Sequence, residues 1–245
     1  MNAGVRQPHA ALDLTSRRHK GMKIERLLGL VPTLQPLRLL EIGTGSGGIA
    51  HYFATHPSIR CAVTAVDVVD QRMVRDGYDF RLVSGTVLPF DDGAFDVVIS
   101  NHVIEHVGEH ASQLSHLREM HRVMASGAVG YLAVPNRWML LEPHFRLAFL
   151  SWLPPSLRTP YLRLMRRGSV YDCNPLTLPR LNAMLSEAGF CWRHVEVEAL
   201  RYMLTNEKLR GPGAWLAHWL PDAWLALARP IIPTLACRIQ RIQST

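Results

Sequence analysis

The side chains best suited to acid-base chemistry lie close together in Asn136-Arg137-Trp138-Met139-Leu140-Leu141-Glu142-Pro143-His144. An imidazole titrates near neutral pH, so His144 is a candidate to remove a proton from an acceptor, with Glu142 to orient its ring and Arg137 to bind a polar acceptor group. A second histidine, His106, follows Glu105 in Val103-Ile104-Glu105-His106-Val107 and is the other candidate base. His102, His106 and His110 recur at four-residue steps, a spacing that would place metal ligands on one helix face, but Gly108 interrupts the run and no metal centre is expected. The four cysteines (Cys61, Cys173, Cys191 and Cys237) form no CxxC pair, which argues against a zinc knuckle or a disulfide scaffold.

A different chemistry is written in Glu41-Ile42-Gly43-Thr44-Gly45-Ser46-Gly47-Gly48. Gly43 allows a sharp turn at a strand end, Gly45 lets a ligand approach the backbone, and Gly47 permits close passage into a helix. Asp67 closes the following strand, where a carboxylate can accept both hydroxyl hydrogens of a ribose. These features would serve a nicotinamide dinucleotide, yet Glu41 would repel its pyrophosphate and suits a ligand bearing an amine or a positive centre. S-adenosylmethionine carries both and has no pyrophosphate.

The elements that must position these groups alternate. Strands are expected at Leu37–Ile42, Cys61–Asp67, Phe80–Val83, Phe95–Ser100, Ala128–Val134 and Cys191–Val197, with a last edge strand from Pro233–Gln240. Helices are expected after the glycine turn, over Asp70–Arg75, from His110 to Met124 with a stop at Ser126-Gly127, and over Pro175–Gly189. This rhythm predicts an α/β, Rossmann-like, mostly parallel sheet with helices on both faces. Residues 1–34 read as an N-terminal helical cap on a domain spanning 35–245, and two pieces, near 135–169 and 199–232, read as lid-like insertions over the ligand edge.

The chain has 245 residues, of which 48% are hydrophobic and 19% charged, so it can bury one sizeable core, and disorder along its length is excluded. Its net charge of +7 is unevenly placed: residues 35–134 carry −4, whereas residues 1–34, 137–167 and 201–245 carry +4, +5 and +4. Apolar and aromatic residues of Phe145–Leu153 precede Arg158, Arg163, Arg166 and Arg167, and Trp215, Trp219 and Trp224 recur near helical spacing. That mixture suits peripheral contact with an anionic membrane surface. No apolar run approaches a bilayer span and no apolar leader follows the first basic residues, so the expected location is cytoplasmic, including the inner face of the membrane. No nucleic-acid-binding appendage is visible, and nucleic acid is disfavoured as a partner. Nothing in the sequence specifies an oligomeric state.

Taken together, LLEIGTGSGG, VTAVDVV, LPFDDGAFDVVISNHVIEHV, LREMHRVMASGAVGYLAVPN and LSEAGF resemble the class I S-adenosylmethionine-dependent methyltransferases, in particular the small-molecule branch that includes the ubiquinone-biosynthesis O-methyltransferases. The resemblance covers about residues 37–197 and implies a seven-stranded sheet with its last strand antiparallel. It implies S-adenosylmethionine as cofactor and transfer of its methyl group by in-line displacement, while the composition of the two insertions suggests a small or lipid-linked metabolite as acceptor, with oxygen preferred as the methylated atom. Glu41, Gly43, Gly45 and Gly47 would line the methionine and ribose portion, Asp67 would hold the ribose and Val68 would cover the adenine. Ser84 stands where the family has an acid for the adenine amine, and Asn101 would border the methionine pocket. A catalytically inactive methyltransferase-like binding protein and a nicotinamide-dependent oxidoreductase are the alternative readings.

Overall fold

A computed structural model describes residues 13–142, 144–207 and 211–241. The first 12 residues of the expected N-terminal cap, and 208–210 of the second insertion, lie outside them. Within the cap, α1 (Leu14–Leu28) starts where the Asp13 carboxylate accepts from the backbone of Thr15 and Ser16 at 3.0 and 3.2 Å, and ends on Gly29 in the left-handed conformation. It buries Ile24, Leu27 and Leu28.

Seven strands form the main sheet: β1 (Leu37–Ile42), β2 (Cys61–Asp67), β3 (Asp79–Leu82), β4 (Phe95–Asn101), β5 (Met124–Pro135), then β8 (Phe190–His194) and β9 (Thr234–Arg241). The intervening β6 (Leu141–Glu142) and β7 (Leu147–Ala148) make a small separate hairpin. Strand order across the sheet is β3-β2-β1-β4-β5-β9-β8, with β9 antiparallel to both neighbours and the remaining pairings parallel. The expected doubly wound sheet is therefore present. The expected edge strand is not at the edge: β9 inserts between β5 and β8, and Leu235, Cys237 and Ile239 are buried.

Two apolar layers enclose the sheet. On one face α1 and α2 (Gly48–Ala54) contribute Ile24, Leu28, Ile49 and Phe53. On the other, α3 (His110–Val123) and α5 (Leu178–Glu187) contribute Leu117, Met120, Leu181 and Leu185. Each helix turns one apolar stripe inward, and burial of these side chains is the main force holding the layers together. The first insertion contains β6, β7 and α4 (Pro155–Leu164), which begins at the second residue of the Pro154-Pro155 pair. The second contains α6 (Glu196–Asn206), α7 (Pro212–Trp219) and α8 (Asp222–Leu227). Among the described residues, no helix is long and apolar enough to cross a membrane.

Three local expectations give way, two of them to side-chain hydrogen bonds. No helix forms over Asp70–Arg75, because the Asp70 carboxylate accepts from the Arg72 backbone at 3.1 Å and from the Arg72 and Arg75 guanidinium groups, favouring a turn. The helix expected to stop at Ser126-Gly127 ends at Val123, and the chain enters β5 at once through an irregular register opposite Phe95 and Val97. The strand expected through Val197 stops at His194. There the Glu196 carboxylate accepts from the Ala236 backbone at 3.1 Å and from Arg229 at 3.1 Å and contacts His194 Nδ1 at 3.0 Å, turning the chain into α6.

Glu196 is buried and joins β8, α6, β9 and the segment before β9. Replacing it by alanine strands those donors, so Glu196→Ala is expected to lower unfolding free energy by about 3 kcal/mol in urea titration, within the usual cost of breaking a buried ion pair. A loss below about 0.5 kcal/mol, the range of ordinary surface substitutions, would show that this junction is not structural.

Candidate active site

The parallel registers of β1, β2 and β4 bring their C-terminal ends to one level, with Ile42 opposite both Val66 and Ser100. A cavity of about 1100 Å3 opens there, larger than a usual single-ligand pocket. Gly43, Gly45, Asp67 and Val68 line one part, Asn101, His102 and His106 continue the wall after β4, His144 and Arg146 enter from the first insertion, and Asp172 from the segment after it. Leu200 and Met203 of α6 complete the opposite side with Arg17, Lys20 and Lys23 of α1.

The glycine turn has little spare room. Gly43 has φ +72°, and a Cβ there would lie 2.4 Å from the Val103 side chain, so only glycine lets the chain pass. Asp67 fixes the turn from the side: its carboxylate accepts from the Gly45 backbone at 2.8 Å and from the Val68 backbone at 2.7 Å while facing the cavity. Lone pairs remain on those oxygens for ribose hydroxyls, so donor set and space both fit an adenosyl ligand.

Several residues singled out from sequence lie elsewhere. Glu41 is buried beneath the loop and accepts from the Thr44 hydroxyl at 2.7 Å, because β1 alternation turns it away from the cavity. Burial pushes its carboxyl up to about 8, against the smaller opposing effects of the Thr44 hydrogen bond and Arg17. Gly47 precedes α2 and is packed against Tyr78, where a Cβ would clash with the tyrosine hydroxyl, and it does not line the cavity. Ser84 is exposed, and its neighbours Val83 and Gly85 line the cavity instead. Arg137 lies with its guanidinium carbon 5.5 Å from the Trp138 ring centre, and its backbone is tied to Leu176 and Ser151; Arg146 is the first insertion's arginine on the cavity wall.

Glu142 lies behind the wall and reaches the cavity through His144. Its carboxylate contacts His144 Nδ1 at 2.7 Å and accepts from the Phe145 backbone at 2.7 Å. This hydrogen bond holds the His144 imidazolium above the ordinary histidine range, with burial opposing it. The His106 ring lies edge-on to His144, with centroids 6.0 Å apart. His102, whose backbone takes the left-handed conformation, has Nδ1 3.3 Å from the buried Glu105 carboxylate, and His106 Nε2 lies 3.9 Å from it. Burial pushes Glu105 up, but these imidazoles outweigh it and hold the carboxyl below its ordinary range. His116 is buried with Nε2 3.0 Å from Ser100 Oγ, and burial drives its pKa down to about 4, leaving it neutral at pH 7.

The cationic wall on α1 is not singled out by the motifs. Arg17, Lys20 and Lys23 follow three-residue steps on one helix face, a periodicity visible in RRHKGMK once that segment is read as a helix over the site. Burial, with Arg17 and Lys23 nearby, pushes the Lys20 ammonium down to about 8. Asp172 and Cys173 also escape notice, since only the folded chain brings them beside His106.

Residues 40–132 match the family of methyltransferase domains. The chain is 32% identical over 106 residues to ajmaline N-methyltransferase of Rauvolfia serpentina, covering 40% of this chain and 35% of that enzyme. It is 33% identical over 112 residues to a ribosomal-protein methyltransferase of Lactobacillus delbrueckii subsp. bulgaricus, covering 42% and 35%. The matched part thus spans about a third of these curated relatives. Among solved structures, a SAM-dependent methyltransferase of Methanosarcina mazei aligns at TM-score 0.53 and 15% identity, over 86% of this chain and 95% of its own. The putative methyltransferase in an activator complex from Haloferax volcanii aligns at TM-score 0.56 and 17% identity, over 98% and 100%. The phosphoethanolamine N-methyltransferase 2 of Haemonchus contortus, in complex with S-adenosyl-L-methionine, aligns at 0.54 and 13%, over 99% and 62%. The fold is that of the class I S-adenosylmethionine-dependent methyltransferases. These relatives do not distinguish the ubiquinone-biosynthesis branch.

Glu41 supplies a pH test of this geometry. Its carboxyl is raised in the folded chain, so ionisation favours the unfolded chain and stability falls as pH rises from about 4.5 towards about 8. Glu41→Gln should flatten that slope in ligand-free protein, leaving stability little changed at pH 5 and raising it at pH 8 relative to the parent. Parallel thermal-denaturation curves of the two proteins across that interval would contradict the assignment.

Proposed function

We propose that the protein transfers the methyl group of S-adenosylmethionine to an oxygen of a small or lipid-linked acceptor. The observation that carries this reading is the single cavity that joins Gly43, Gly45 and Asp67 to the His144–Glu142 pair. The cofactor supplies a sulfonium methyl already activated for in-line displacement. What remains for the protein is alignment, exclusion of water and removal of the acceptor proton.

In this reading Asp67 accepts the ribose hydroxyls, Val68 covers the adenine and Asn101 borders the methionine end. Glu142 accepts from His144 Nδ1, which leaves Nε2 as the base. As the methyl moves, the acceptor's O–H pair becomes the new C–O bond, the C–S pair stays on sulfur and His144 carries the proton. The buried Glu142 carboxylate stabilises the resulting imidazolium. Arg17, Lys20 and Lys23 favour a carboxylate or phosphate on one of the bound molecules.

A lipid-linked acceptor is supported by the second insertion. Trp215, Trp219 and Trp224 on α7 and α8 are 67%, 71% and 65% exposed, and the chain that follows them lines the cavity at Ile232, Pro233 and Thr234. Tryptophans that face water on short helices match the needs of a polar–apolar boundary.

Incubation with methyl-labelled S-adenosylmethionine and separate lipid and water-soluble cell extracts tests the proposal. Label should enter the lipid extract, and His144→Ala should reduce turnover by about 10²- to 10⁴-fold while S-adenosylhomocysteine affinity is retained. Transfer into neither extract would refute the activity, transfer only into the water-soluble pool would refute the lipid-linked acceptor, and undiminished turnover in the variant would remove His144 as base.

A further inference from the structure

Beside the proposed base, three potential ligand atoms converge from distant parts of the chain. Cys173 Sγ lies 3.8 Å from His106 Nδ1 and 3.8 Å from Asp172 Oδ1, and the three ligand groups lie within 4.8 Å of one another. In a tetrahedral zinc site, bonds of about 2.3 Å to sulfur and about 2.0–2.2 Å to nitrogen or oxygen separate such atoms by about 3.5 Å. A contraction of a few tenths of an ångström would therefore close the two sulfur distances onto one ion.

We propose that His106, Asp172 and Cys173 form a site for one divalent transition-metal ion, of the zinc class, with its fourth position open to the acceptor end of the cavity. Cys173 is 3% exposed, whereas His106 and Asp172 line the cavity, so the open side of the triad faces the chamber. Three protein ligands and one exchangeable position are the arrangement of catalytic zinc, and mixed nitrogen, oxygen and sulfur donors suit that ion.

The fold holds the two halves of the triad together. His106 ends the short 3-10 turn Ile104–His106, and Asn174, next to Cys173, is bound to the same region. The Asn174 backbone donates to Glu105 O at 2.8 Å, its side chain donates to Gly108 O at 3.1 Å, and its own carbonyl accepts from Gln113 Nε2 at 2.9 Å. Such pinning keeps donors close before an ion arrives. The surroundings favour a cation as well: the Glu105 and Glu142 carboxylates are almost wholly buried, and their ion-pair partners among the described residues are histidines alone. Glu105 also lies on the Nε2 side of His106, opposite Nδ1, the place of an outer carboxylate in many metal sites. Glu142, His144 and Cys173 make an overlapping cluster, but both Glu142 oxygens are already engaged by His144 and the Phe145 backbone.

The ion's role, though not the site itself, rests on the methyl-transfer reading: an acceptor hydroxyl bound at the ion's open position would have its pKa lowered and pass its proton more readily to His144. The test uses the full chain, dialysed against a chelator and titrated with Co2+ alone, then with competing Zn2+. One equivalent of Co2+ should bind with a thiolate-to-cobalt charge-transfer band that Zn2+ abolishes. Cys173→Ser should remove the band, Cys191→Ser should keep it, and His106→Ala or Asp172→Asn should weaken Co2+ binding by more than the ~100-fold upper range seen on losing an outer partner. Absence of the band in the parent protein, or Co2+ affinity unchanged in both His106→Ala and Asp172→Asn, would overturn the site. S-adenosylhomocysteine affinity, measured on the same samples, separates the two readings. Binding retained without the band contradicts the metal site alone, and lost binding with the band intact contradicts the methyltransferase reading alone.

Discussion

The hydrogen bond from the Gly45 backbone to the Asp67 carboxylate couples the two strand ends on which the site depends. It can form only because β1 and β2 run parallel in register, which places Ile42 beside Val66, and because the intervening turn takes left-handed conformations at Gly43 and Gly45. The same turn packs Gly43 against Val103 beyond β4, so the backbone of one strand end fixes the distance to the next. The carboxylate is thereby aimed by the sheet rather than by a flexible loop, a level of preorganisation that binding a ribose without a large ordering cost requires. Insertions that carry chemistry can vary around this frame because they are attached where the strands end.

Charge is distributed along the cavity in a way that the net value of +7 conceals. Arg17, Lys20 and Lys23 form a cationic wall on α1, while Glu105, Glu142 and Asp172 meet histidines at the other end. In a partly water-excluded space such groups act strongly on one another and on a ligand. A molecule pair with a negative group at one end and a proton or cation to be managed at the other matches that polarity. His144 and Arg146 of the first insertion line the second end, and the second insertion carries the exposed Trp215, Trp219 and Trp224.

Much of the frame was legible in the sequence because its signals are local. The apolar runs of β1, β2 and β4, the glycine turn and Asp67 need only neighbouring residues to be recognised, and they stand where expected. The position of β9 was not legible, since a strand's place across a sheet depends on pairing with β5 and β8 rather than on its own pattern. Asp70 and Glu196 redirected the chain through side-chain hydrogen bonds that helix and strand periodicity do not encode. At the site, Glu142 and His144 are neighbours in sequence and were paired from it, whereas Arg146 replaced Arg137 on the wall because the β6–β7 hairpin decides which arginine faces inward. Cys173 and His106, 67 residues apart, could be joined only by the folded chain.

Calorimetric titration of the full chain with S-adenosylhomocysteine tests the central claim most directly, because it asks whether the Asp67-braced turn is a nucleoside-binding frame. One molecule should bind per chain, and Asp67→Ala, checked to be folded by circular dichroism, should weaken it by about 10- to 100-fold, the range for losing hydrogen bonds to a charged group. Absence of binding to the folded parent, or equal affinity in parent and variant, would contradict the account.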